Sequence, residues 1–176
     1  MAFDTYLLIG SGASPDPVGE STATGLPKPT GYIEIYSFSW GASNPTTVGS
    51  GSTGLAAGKV SISSFNIMKR TESSSAALFQ ACCTGQHFPK AEVLMRKATG
   101  TTGKQEVFLK YDFTDVMVES IQWSGSSGGD DTPTESVSFA FASVSITYSK
   151  QDEASGALTV AGQASWDLTK VAVAGK

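Results

Sequence analysis

Apolar and polar residues alternate with a period of two along most of this chain, which is the signature of half-buried β-strands. Eight segments carry it: Phe3–Ile9, Tyr32–Trp40, Lys59–Lys69, Lys90–Lys97, Gln105–Phe113, Asp115–Trp123, Glu135–Tyr148 and Ala164–Val173. Each is rich in β-branched or aromatic residues and is bounded by Gly, Pro, Asp or Ser. In three of them the alternation changes phase partway. Val137, Phe139 and Phe141 give way to Val144, Ile146 and Tyr148; Val116 and Val118 give way to Ile121 and Trp123; Val60 and Ile62 give way to Phe65 and Ile67. A strand cannot move its apolar set to the other face without a bulge or bend. Bends in several long strands predict a barrel whose strands pass from one sheet to another.

One stretch departs from the period of two. Ser74 or Ser75 to Cys83 contains good helix formers without a break, and Gly85 stands where a helix ends in the left-handed conformation. Ser74 and Ser75 are the expected caps, and Leu78, Ala81 and Cys82 share the face that would cover an open barrel end. Two long connections, Ser11–Gly31 and Gly41–Gly58, are rich in Pro, Gly, Ser and Thr and predict loops without regular structure; a third is Ser124–Pro133.

At 176 residues the chain has room for one domain, 1–176, with a sufficient core of its own. The net charge of −4 and the scatter of Lys and Arg argue against nucleic acid and against anionic membranes as partners. No apolar run is long enough for a transmembrane helix, and the first residues lack the basic and apolar regions of a signal peptide, so export without a cleaved leader is expected. Cys82 and Cys83 are adjacent and suit a reducing cytoplasm rather than a disulfide framework.

Catalytic chemistry is poorly supplied. His87 is the single histidine and is expected in a turn, four residues after Cys83, without the partners of a nucleophilic triad or the fourth ligand of a zinc site. Asp130 and Asp131 lack the alternating oxygens of a calcium loop. Gly58-Lys59 leads into a strand pattern rather than a helix, so the glycines before it do not make a phosphate loop. No enzyme activity, cofactor or metal is expected. Tyr32, Tyr36, Phe38 and Trp40 share one parity; buried they would serve a core or interface, exposed they would stack on sugars as in a carbohydrate-binding module.

Several short motifs occur in a characteristic order: Asp4-Thr5-Tyr6-Leu7-Leu8-Ile9-Gly10, Gly19-Glu20-Ser21, Ile35-Tyr36-Ser37-Phe38-Ser39-Trp40-Gly41, Gly58-Lys59-Val60, Ser73–Gly85 followed by His87-Phe88-Pro89, Val93–Lys97, Thr134–Ala142 and Trp166-Asp167. In this order and spacing the chain resembles the haemolysin-coregulated protein (Hcp) family, the tube subunit of type VI secretion. The resemblance implies an all-β split barrel of two antiparallel sheets with one short helix. It implies six-fold rings that stack into a hollow tube, sheath and spike proteins as partners, and effector cargo carried in the lumen. It also implies residence in the cytoplasm before firing and secretion afterwards. The stretch between Gly10 and Gly19 is longer than the family's usual connection, and a polar, Pro-rich stretch after Ser21 replaces the charged run of many relatives. A phage-type tail tube protein is the alternative with the same architecture. Within the tube reading, the Gly41–Gly58 loop is the expected ring-stacking element, with Thr46, Thr47, Val48, Ser50, Ser52, Thr53 and Leu55 at its centre.

Overall fold

A computed structural model describes residues 3–10, 16–28, 30–48, 54–99, 104–128 and 131–174. Its elements in chain order are β1 (Asp4–Gly10), β2 (Ile33–Ile35), β3 (Ser37–Ser39), β4 (Ala42–Ser43), β5 (Thr46–Val48), β6 (Leu55–Ala57), β7 (Ser61–Ile62), β8 (Phe65–Arg70), α1 (Ser74–Thr84), β9 (His87–Thr99), β10 (Lys104–Ser124), β11 (Thr134–Gln151) and β12 (Leu158–Asp167). Eight strands form one antiparallel sheet in the order β2-β1-β9-β10-β11-β8-β3, with β12 also on β11. Tyr36 alone separates β2 from β3, the two ends of that order, and its N–H donates to the Met68 carbonyl at 2.8 Å. The sheet therefore curls almost shut into the expected barrel. Among the described residues no helix is long and apolar enough to span a membrane.

The phase changes in the sequence have visible causes. In β10, Val118 pairs with Phe139 but Ser120 pairs with Ser138, so Glu119 is an extra residue in a bulge. In β11 the partner along one edge changes from β8, opposite residues 134–139, to β12, opposite residues 143–151. That exchange falls where Phe141 gives way to Val144, and both pack on one core. Opposite it, Asp115 adopts φ 49°, rare for a residue with a side chain. The third change is an interruption: β7 ends at Ile62, Ser63 bonds to Gly41, and β8 starts at Phe65.

Several expected boundaries are corrected. Tyr32–Trp40 is not one strand, because the chain crosses between sheet edges at Tyr36. Gln105–Phe113 and Asp115–Trp123 are one strand, since Thr114 and Val116 keep the same register on both neighbours. The last strand is Leu158–Asp167 rather than Ala164–Val173; Asp167 accepts the Thr169 and Lys170 N–H groups and turns the chain there. His87 opens β9 instead of sitting in a turn. The Gly41–Gly58 connection is not structureless: β5 and β6 make a hairpin within it, pairing Thr46 with Ala57 and Val48 with Leu55.

The core is an aromatic cluster. Phe65 and Phe113 lie 4.9 Å apart and Phe113 and Phe141 4.7 Å apart, centroid to centroid. Trp40 sets its ring edge-on to Tyr111, Phe113 and Phe141. A second, smaller cluster of Tyr6, Tyr32 and Leu94 lies on the other face of β1 and β9, under Ala23 and Leu26 of the long first connection.

Candidate functional site

The helix is held by a buried polar cluster drawn from four elements. Lys69 on β8 and Glu135 on β11 pair at 2.9 Å with both side chains out of solvent. The Lys69 ammonium also donates to the Ser75 hydroxyl at 3.0 Å and the Arg70 carbonyl at 2.7 Å. Trp123 on β10 donates its indole N–H to the second Glu135 oxygen at 2.7 Å. Burial would raise the Glu135 pKa, but the Ser75 hydroxyl and the Lys69 ammonium outweigh it and hold the group below the usual carboxylate range.

The N-terminus of α1 is capped from a distance. The expected caps, Ser74 and Ser75, do not cap: Ser73 is the N-cap, and its hydroxyl donates to the Val18 carbonyl at 2.9 Å rather than capping the helix. The Ser73 N–H instead donates to the Glu20 carboxylate at 2.9 Å, 53 residues away in sequence, and the Glu20 N–H donates to Glu72 at 3.0 Å. Ser74 and Ser75 hydroxyls bond Glu72, the former to its carboxylate and the latter to its N–H. The motif Gly19-Glu20-Ser21 is thus the clasp between the first connection and the helix. Gly85 ends the helix at φ 66° as expected.

The outer face of β9, β10, β11 and β12 is polar. Lys90, Glu92, Lys110 and Asp112 form a closed square of alternating charge with Lys90–Asp112 at 2.9 Å and Lys110–Glu92 at 2.7 Å. Its other two sides are 3.4 and 3.3 Å. Hydrogen bonding to Asp112 raises the Lys90 pKa despite partial burial; for Lys110, burial is overcome by Glu92 and Asp112. Beyond the square the register places Thr114, Ser143, Ser145, Thr147, Gln163 and Ser165 on the same face. Its charges cancel locally, and apart from Val160, which pairs with Ser149, these positions carry hydroxyls and an amide.

β12 is the open edge of the sheet. It pairs only with β11 until Asp167, where Ala172 bridges to it. Residues 159–164 are all exposed, and residues 158–166 carry no charge. Native edges usually carry lysine, proline or a bulge to block strand addition; this edge carries neither lysine nor proline, and its one irregularity is Ala161, an extra residue between Val160 and Gly162.

The other sequence-derived residues fall into place around these features. Thr46, Thr47 and Val48 make β5 and Leu55 opens β6, while Ser50, Ser52 and Thr53 lie outside the described residues. Thr46, Thr47 and Leu55 are exposed. The aromatic row is not a sugar platform, because Tyr32 is buried and Phe38 and Trp40 pack on the core, leaving Tyr36 alone exposed. Cys82 packs against the core as a small apolar residue, and Cys83 is exposed. His87 pairs with Asp115 at 2.7 Å on the surface. Asp130 lies outside the described residues, among which no cluster of three metal-binding side chains occurs. The Glu20 clasp and the Lys69–Glu135 pair escaped the sequence reading, since each joins positions more than fifty residues apart.

Comparison with known proteins adds an independent line. Residues 6–148 match a family model described as "Type VI secretion system effector, Hcp". Protein hcp1 of Pseudomonas aeruginosa is 36% identical over 93 residues, 53% of this chain and 56% of that protein, so the match spans little more than half of the relative. A solved structure of a type six secretion system protein superposes with a TM-score of 0.85 at 34% identity, covering 98% of this chain and 99% of the other. Hcp1 from Salmonella typhimurium gives a TM-score of 0.72 at 29% identity with the same coverage.

Proposed function

The chain belongs to the Hcp family of type VI secretion, a family of structural tube proteins rather than enzymes, and from that premise we propose that six copies close into a ring and that rings stack into a hollow tube. The observation that carries this reading is the exposed, uncharged β12 edge. The side of β12 away from β11, from Leu158 to Trp166, invites a strand from a neighbouring copy, and a contact between two different surfaces of one chain closes a ring when its rotation permits. The polar face of β9–β12 then suits a channel wall. Its internally neutralised square and its hydroxyls offer passing protein cargo neither an apolar patch nor a strong field. Within this reading the tube is assembled in the cytoplasm, driven out by a contractile sheath behind a spike, and carries effectors in its lumen.

The hairpin of β5 and β6 is the stacking element in the same proposal. Its described side chains are exposed, and a lone two-stranded hairpin is marginal in water. Deleting Thr46–Ala56 should leave rings intact and abolish tubes; electron micrographs showing unchanged tubes would contradict the assignment.

A further inference from the structure

We propose that Arg96 is a carboxylate-binding site left incomplete in the single chain, and that Glu153 of a neighbouring copy completes it. The inference rests on the tube reading and deepens it by naming a residue pair between copies. Arg96 and Lys69 are the two buried cations among the described residues, Arg96 at 3% exposure. Lys69 has Glu135, whereas Arg96 forms no ion pair with any described carboxylate. Its Nη1 donates to the Thr24 carbonyl at 2.6 Å and its Nη2 to the Tyr6 hydroxyl at 3.3 Å. The guanidinium carbon lies 4.8 Å from the centroid of the Tyr6 ring. The buried Nε–H has no partner. A guanidinium keeps its proton when buried, so what the site lacks is an anion. Nε and Nη2 form a fork that takes a carboxylate through two parallel bonds.

Arg96 lines an open groove of about 960 Å³, walled by residues 22–25 of the first connection, Asp4 and Tyr6 of β1, and residues 104–106 at the start of β10. Lys104 adds a second cation there. The groove's own acids do not fill the site. Glu106 accepts from the Thr99 hydroxyl at 3.1 Å, and Asp4 stands opposite Arg96 in the register without pairing to it. The groove lies on the β1 and β9 flank, away from the open β12 edge, and a ring contact joins two such different surfaces. Glu153 belongs to the other flank. It stands in the turn from β11 into β12, which the Asp152 N–H closes on the Ala157 carbonyl at 2.9 Å. Asp152 accepts from Ala154 and Ser155 within that turn; Glu153 is exposed, with no hydrogen bond or ion pair to any described residue. The turn and Arg96 share one end of the sheet, where Gln151 pairs with Leu158 and Thr99 with Lys104. The rotation that generates a ring carries that end of every copy to the same side.

The test dilutes assembled rings and follows their dissociation by native mass spectrometry, with a thermal melt of each variant alongside. Glu153→Gln comes first, because it breaks no contact within its own chain. The proposal expects its rings to dissociate at a protein concentration at least about tenfold above the parent's, with the melt unchanged. Asp131→Asn removes a like charge at the opposite end of the sheet and should leave dissociation as in the parent. Arg96→Gln should weaken the ring as Glu153→Gln does, and the double variant no more than the more damaging single one, the mark of a coupled pair. Glu153→Gln rings that dissociate as the parent's do overturn the pair and leave the tube reading standing. So does an Arg96→Gln chain that melts lower but associates normally, since Arg96 would then serve only to hold the first connection through Thr24. A chain that never associates overturns both.

Discussion

Replacing Glu135 with leucine is expected to destabilise the fold by about 3–5 kcal/mol, because it strands the Lys69 ammonium in the interior without its counter-charge. The penalty comes from an uncompensated buried charge, so Lys69→Met alone should cost a similar amount by stranding the carboxylate. The double variant Lys69→Met/Glu135→Leu removes both charges and should recover most of the loss, whereas additive costs would show that the pair acts through something other than its charges. Urea unfolding followed by circular dichroism measures all three. Glu135 also gives the stability a pH dependence of known sign. Its folded-state pKa is depressed, so its contribution is present at neutral pH and is lost as pH falls through that lowered value, below the usual carboxylate range. The acid-side loss of stability should therefore be smaller in Glu135→Leu than in the parent. The helix packs on this cluster through Ser75, and the Phe79 ring lies tilted against Trp123 with centroids 5.7 Å apart, so the helix is the element expected to loosen first.

Gly19→Ala is expected to cost about 3 kcal/mol, near the upper end for overpacking, and to lower Tm by roughly 6–12 °C. A Cβ at this position would stand 2.2 Å from the Tyr32 carbonyl oxygen, 2.4 Å from its carbon and 2.6 Å from the Ile33 Cα. These are backbone atoms at the start of β2 and cannot rotate away as a side chain would. The neighbouring bonds, Gly19 N–H to the Gly31 carbonyl and Ser21 N–H to the Tyr32 carbonyl, would have to lengthen with them. Moving this segment also withdraws Glu20 from the N-terminus of α1. Gly128→Ala provides the comparison: nothing lies within 4 Å of its Cβ, so its effect should stay within about 0.5 kcal/mol. Equal effects at the two sites in a thermal melt would contradict the close-approach account.

Much of the barrel was legible because its determinants are local. Alternation located the strands, and the phase changes at Val118, Phe141 and Ile62 marked a bulge, a change of partner and a break. The boundary errors have physical causes. Asp115 looks like a strand terminator, yet a single residue at positive φ is tolerated when both neighbouring strands hold the register. Tyr36 shares the parity of Phe38 and Trp40, and nothing local reveals that the chain changes sheet edge there. Val160 at the exposed edge alternates with nothing buried, so the start of β12 carried no amphipathic signal. The hairpin of β5 and β6 lacks one for the same reason. The long-range polar contacts were out of reach of any pattern: Glu20 reads as a loop carboxylate until the fold brings it to Ser73, and Lys69 reads as a solvated strand end until Glu135 closes over it.

The central claim is that this chain is a ring-forming tube subunit, and native mass spectrometry with class averages from negative-stain electron microscopy tests it most directly. The account predicts a closed six-fold ring of the 18.2 kDa chain, about 109 kDa, persisting on dilution and joining end to end at high concentration. A monomer that stays monomeric at high concentration, with β12 left as a free edge, would contradict it.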